Sequence, residues 1–174
     1  MNALIEILKI LIPAGAVFAV AYFLVNRFLE NDQKRREYEL KKATQSTVTP
    51  LKIQAYERII ILLERINPNS LVVRVNKNGM SARQLHQELV ASVKSEYEHN
   101  LSQQIYVSAG AWELVKTSKE EIIQLVNISS SKVAHDANSS DLAMMILNIT
   151  ANLGKKLPND VAIDYIKKEI AQTF

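Results

Sequence analysis

The chain predicts an all-α fold: an N-terminal transmembrane helix continuing into a charged spacer helix, then a cytoplasmic multi-helix bundle. Three observations predict it. The stretch from Leu4 to Val25 is apolar apart from Glu6 and Lys9, which is the length and composition of a membrane-spanning helix. Glycine and proline occur only four times each in 174 residues, too few for an architecture rich in tight turns. Helix-start signals recur along the remainder, each followed by apolar residues at helical spacing. The organisation read from them is an anchor over residues 1–27, a charged helical spacer and linker over 28–50, and an α-helical domain over 51–174.

The anchor comes first. Twenty-two residues at a rise of about 1.5 Å span roughly 33 Å, enough for a hydrocarbon core of about 30 Å. Lys9 reaches the headgroups along its own alkyl stem, and Glu6, three residues earlier on the same face, neutralises it. Pro13 removes one helical hydrogen bond and bends the helix. Gly15 and Ala19 form a single small-xxx-small patch where another span approaches closely. A cleavable signal peptide is the competing reading, because Ala19-Val20-Ala21 has the small-x-small form of a cleavage site. Two features favour retention: Glu6 precedes the only lysine of the N-terminal region, and Tyr22 to Val25 continue the apolar run. Arg27, Lys34, Arg35, Arg36, Lys41 and Lys42 crowd the end of the span, and basic flanks are held in the cytoplasm. The expected location is therefore a bacterial inner membrane, single-pass, with the C-terminal domain cytoplasmic.

Beyond the span, Glu30 to Lys34, Asp32 to Arg36 and Glu37 to Lys41 are acid-before-base pairs four residues apart, which support a helix. The segment has few apolar residues after Leu29, so it reads either as a solvated rod or as a helix lying on anionic lipid. Thr44 to Pro50, β-branched and hydroxyl residues ahead of a proline, predict a break, with Pro50 in the first turn of the next helix.

In the domain, Ile53 or Tyr56, Ile59 or Ile60, Leu63 and Ile66 mark a helix from Leu51 to Ile66, ended by Asn67-Pro68-Asn69. Ser81 with Gln84, and Ser118 with Glu121, read as capping boxes opening two further helices. Leu142, Met145, Ile146, Ile149 and Leu153 form another stripe, stopped by Gly154, and Pro158 opens a terminal helix. Leu71 to Val75 and Ile105 to Val107 are β-branched runs for which a short two-stranded pairing stays open.

Composition excludes several functions. Residues 1–50 carry seven basic and five acidic residues, and residues 51–174 fourteen and thirteen, so no field typical of a nucleic-acid binder exists. With no cysteine, thiol chemistry and disulfides are absent. No phosphate-binding glycine loop, nucleophile elbow or Cys/His metal spacing occurs. Glu96-x-x-His99 has the spacing of di-iron bundle ligands, but no second copy accompanies it, so neither metal nor cofactor is expected. His86 reads as a boundary residue and His135 as part of a loop. The segment from Glu96 to Trp112 is the most unusual locally. Its Glu96, His99, Gln103, Gln104, Tyr106 and Trp112 suit either an interaction surface or a buried connector filled by Tyr106 and Trp112.

The sequence Tyr56-Glu-Arg-Ile-Ile-Ile-Leu-Leu-Glu-Arg-Ile-Asn-Pro68, followed by Glu98-His-Asn-Leu-Ser-Gln-Gln-Ile-Tyr-Val-Ser108 and Ala111-Trp112, resembles a family of small single-span membrane proteins of Bacteroidota with no assigned function. The resemblance covers the anchor and roughly residues 51–130. It implies the inner membrane of a Gram-negative cell and brings no catalytic residues. Three functions follow as expectations. The first is a non-catalytic accessory subunit, its partners the bilayer and an integral membrane protein. The second is a tethered enzyme or metal sensor using Glu96 and His99. The third is a stator-like homo-oligomer, against which stands the lack of sustained apolar heptads in the spacer.

Overall fold

The computed structural model describes residues 2–173. Among them are six α-helices: α1 (Asn2–Arg65), α2 (Pro68–Val75), α3 (Ala82–His99), α4 (Ala109–Ser131), α5 (Ser139–Ala151) and α6 (Pro158–Thr173), with a 3₁₀ turn, Leu101–Ile105, between α3 and α4. The chain falls into two compact units, Met1–Thr49 and Pro50–Phe174.

The break expected over Thr44–Pro50 is absent, and helical backbone runs through it. The reason is local. The hydroxyls of Thr44, Ser46 and Thr47 donate to the carbonyls of Leu40 and Ala43 one turn back, so residues that elsewhere compete with a helix here satisfy themselves within it. Pro50 lies inside α1 rather than in a first turn; lacking an N–H, it leaves the Ser46 carbonyl without its helical donor.

The core of the second unit is built on the end of α1. Ile59, Leu62, Leu63 and Ile66 are fully buried, with Leu71, Leu85, Leu89, Val93, Ile122, Leu142, Ile146 and Ile166. Burying each such side chain contributes about 1.5–3 kcal/mol relative to exposure. α4 packs against α3, α5 and α6, and α3 also packs against α2 and α5. Of the last four carbonyls of α1, those of Leu62 and Glu64 accept from the backbone, and side chains meet those of Leu63 and Arg65. Asn159 at the start of α6, itself buried, donates to the Leu63 carbonyl at 2.6 Å. Arg74 donates to the Arg65 carbonyl at 3.1 Å.

Leu71 to Val75 forms α2, not a strand. Asn67 accepts from the Asn69 amide, Pro68 fills the first turn, and Leu71 and Val72 are buried, so cap and burial together override the β-preference of the run. Ile105 closes the 3₁₀ turn and Val107 packs partly on the core. The bridge between Ser81 and Asn138 is the isolated β-contact recorded among the described residues. It joins the starts of α3 and α5 through Ala82 N–H to Ala137 O at 3.0 Å and Ser139 N–H to Met80 O at 3.1 Å.

Both starts carry capping boxes. Ser81 with Gln84 caps α3 as the sequence indicates, and Asn138 with Asp141 caps α5 by a pairing the sequence reading missed. Ser118 caps nothing. It is buried inside α4, donating to the Leu114 carbonyl at 2.8 Å, while Ser108 caps that helix by accepting from the Ala111 amide. α5 ends at Ala151, leaving Leu153 outside the helix, and Gly154 follows with φ +63°. Ser81→Ala is expected to destabilise the domain by about 1 kcal/mol in urea denaturation, whereas Ser131→Ala, an exposed hydroxyl at the end of α4, changes it by less than about 0.5 kcal/mol.

Candidate interaction site at the ends of α1 and α3

A groove of ≈ 410 Å³ opens between the last turns of α1 and α3, with Arg58, Ile61 and Arg65 on one wall and Glu96, His99 and Asn100 on the other. Spacings of three and four residues bring Arg58, Ile61 and Arg65 to one face of α1. At about 100° per residue, Glu57 and Glu64 project from the far side of Ile61. Glu96 is the most buried charge in the groove, its side chain 16% exposed. Nε and Nη2 of Arg65 each lie 2.6 Å from Glu96 Oε1, and Nη1 of Arg74 lies 3.4 Å from the same oxygen. The negative end of α1 also favours both guanidiniums. Asn100, buried, donates to the Glu96 carbonyl at 2.9 Å and so fixes the end of α3.

The Glu96–His99 pair indicated by sequence does share this groove. Its carboxylate is bonded to two arginines rather than turned toward the imidazole, and no cluster of three metal-ligating side chains exists among the described residues. The rest of the segment lies elsewhere. Gln103 is half-buried and Gln104 exposed in the 3₁₀ turn, and Tyr106 is half-buried just after it. Trp112 is 6% exposed, within the core. Its ring stacks on Tyr97 at 5.4 Å between centroids, and Lys119 Nζ sits 4.6 Å from the Tyr97 centroid. His86 pairs with Asn127 Oδ1 at 2.8 Å, and His135 is exposed. Arg58 and Arg65 of the groove, and Arg74, which reaches Glu96 from α2, are the residues that sequence reasoning missed. Their available signal was the spacing of the first two on one helix face, opposite the acidic flank.

A second polar cluster holds the scaffold behind the groove. The Glu169 carboxylate of α6 accepts from the Tyr56 hydroxyl of α1 and from the Ser108 hydroxyl and amide at the start of α4. Burial, then the hydrogen bond and charge of Glu169, push the Tyr56 phenol well above its ordinary value of 10.0. The raised folded-state value means that this contribution to stability is complete below about pH 10 and is lost as pH rises beyond it, because the unfolded phenol ionises first. Stability of the wild type is expected to fall as pH rises above about 10, and Tyr56→Phe to flatten that fall, as read by urea denaturation at each pH.

In the first unit the apolar segment of α1 is uncovered. Val17, Phe18, Tyr22, Phe23 and Leu24 are all exposed, and α1 is long and apolar enough to cross a membrane. The side chains of Leu4 and Glu6 lie outside the described residues. Pro13, Gly15, Ala19 and Val25 are exposed, and a Cβ added at Gly15 meets nothing within 4 Å. Arg27 lies over the Phe23 ring at 5.6 Å. Of the three acid-before-base pairs expected in the spacer, Asp32–Arg36 forms at 3.0 Å, and Arg35 pairs instead with Glu39. Glu30–Lys34 and Glu37–Lys41 are not among the ion pairs of the described residues.

Neither the curated proteins nor the solved structures contain a match to this chain. A family model does match, over residues 2–173, which is nearly the whole sequence, and the chain therefore belongs to that family, a family of unknown function (DUF7935).

Proposed function

We propose that this protein is a membrane-anchored accessory subunit, without catalysis of its own, that docks its helical domain onto an integral membrane protein complex of a bacterial inner membrane. The observation that carries the reading is the uncovered apolar stretch of α1, whose candidate span is 0% buried by the chain. Exposed side chains such as Phe18, at 73%, are stable only against lipid or another protein. Arg27, Lys34, Arg35, Arg36, Lys41 and Lys42 at its carboxyl side support a cytoplasmic domain. The open face at Gly15 and Ala19 supports approach by a second span.

Two measurements test it. The full chain is expected to resist alkaline carbonate extraction, and a fluorescent protein fused after residue 174 is expected to fluoresce while an alkaline phosphatase fusion stays inactive. Mild-detergent purification should then recover a stoichiometric membrane partner. An active phosphatase fusion overturns the orientation, and recovery of monomer alone overturns the accessory role.

A further inference from the structure

We propose that the groove between the ends of α1 and α3 is the docking site for an acidic protein segment carrying an apolar residue. This deepens the accessory-subunit reading and rests on it for the partner being a protein. The groove carries two guanidiniums, Arg58 and Arg65, and a single carboxylate, Glu96. Arg65 and, from α2, Arg74 already neutralise that carboxylate, and Arg58 has no ion-pair partner among the described residues.

The arginines are also fixed in place. Arg65 spends Nε and Nη2 on Glu96 Oε1, and Arg74 spends Nη2 on the Arg65 carbonyl. A guanidinium carries five N–H donors, so Nη1 of Arg65 and its remaining Nη2 proton stay available at the mouth in a pre-set orientation. Held guanidiniums bind an incoming carboxylate with less ordering cost than free ones. Between Arg58 and Arg65 sits Ile61, 56% exposed, an apolar seat within a charged rim, which is the composition of a protein-recognition surface. A lipid headgroup, polar throughout, makes no use of that apolar seat. Glu57 and Glu64, on the far flank of α1, repel an acidic segment from the other side and so restrict its approach to the groove.

The test places the photo-cross-linking residue p-benzoylphenylalanine at position 61 of the full chain in its native host, with position 73 as control; Val73 is 78% exposed and lies on α2, outside the groove. Irradiation is expected to join position 61, and not position 73, to one protein, with the cross-linked segment mapped by mass spectrometry carrying clustered Asp or Glu beside an apolar residue. Arg58→Glu should cut the yield by about tenfold or more while Arg58→Lys retains most of it, with unchanged circular dichroism in both. No adduct at 61, an adduct to phospholipid or to a second copy of the chain, a segment without acidic residues, or a yield indifferent to Arg58→Glu overturns the proposal. If a stoichiometric partner still copurifies in any of those cases, the accessory-subunit reading stands and the groove alone is wrong.

Discussion

Trp112→Ala is expected to destabilise the helical domain by about 3–5 kcal/mol, the range for removing a large buried aromatic. Trp112 is 6% exposed, belongs to the same core cluster as Leu89, Val93 and Ile122, and stacks on Tyr97. Its loss removes the apolar burial, leaves a cavity beneath α3 and α4, and strips one partner from the Lys119–Tyr97–Trp112 stack, which itself adds about 0.5–1.5 kcal/mol. A domain of this size is stable by only about 5–15 kcal/mol, so the variant loses a large share of its margin. The measurement is urea denaturation of the detergent-solubilised full chain followed by circular dichroism. Gln104→Ala in the exposed 3₁₀ turn serves as its contrast and is expected to change stability by less than about 0.5 kcal/mol. A Trp112→Ala variant as stable as the wild type would mean that the indole is not a core residue, and the interface reading of the segment from Glu96 to Trp112 would regain its place.

The pair also shows why sequence divides this segment poorly. Aromatic and amide residues mixed over seventeen positions carry the same signal whether the aromatics point inward or outward, because the local spacing is interrupted by the 3₁₀ turn at Leu101–Ile105. Signals that depend on neighbours in sequence were legible. Ser81 with Gln84, and Pro158, begin helices as their residue types indicate, whereas Asn67-Pro68, read as the end of one helix, also opens the next. Signals whose meaning depends on burial were not. Ser118 with Glu121 has the letters of a capping box, yet Ser118 lies inside α4 and returns its hydroxyl to Leu114. Thr44, Ser46 and Thr47, all exposed, mislead for another reason: their hydroxyls turn back onto the helix that they were expected to end. Asn138 with Asp141 is the converse case, a working capping box in a form less usual than Ser/Thr with Glu/Gln. The groove is a tertiary object. Arg65 and Glu96 are 31 residues apart, and nothing in either local sequence says that they meet. Glu96 and His99, one turn apart on α3, were the part of the site legible in sequence, and the one-sided placement of Arg58 and Arg65 on α1 was the signal missed.

Val17→Arg is expected to have the largest effect on where the protein resides. Val17 is 71% exposed near the middle of the apolar stretch, where an arginine costs about 2.5–3.5 kcal/mol of insertion free energy. Snorkelling relieves that cost only near a helix end, and position 17 is about two turns from either boundary of the uncharged run from Ile10 to Val25. A second charge in Val17→Arg, Val20→Arg roughly doubles the cost. The double variant should therefore leave the carbonate-washed membrane fraction, while the single variant shifts only part of the way. Val17→Leu, which keeps the stretch apolar, is the control and should remain membrane-bound. Among the described residues the core of the second unit contains none before Ala55, so the urea midpoint of the helical domain should not move in either arginine variant. That combination separates two explanations of the exposed helix. If α1 met only lipid, the charge would release the chain and leave any partner behind. If the Gly15–Ala19 face is held by another span, the partner's copurification should fall with Gly15→Leu, which is as apolar as the bilayer and inserts normally but bars close approach. Membrane retention with loss of the partner in Gly15→Leu, set against loss of both in the double arginine variant, is the result expected of an accessory subunit. Retention of the partner in Gly15→Leu would move the contact from the span to the helical domain, and full retention of the double arginine variant in washed membranes would remove the transmembrane assignment itself.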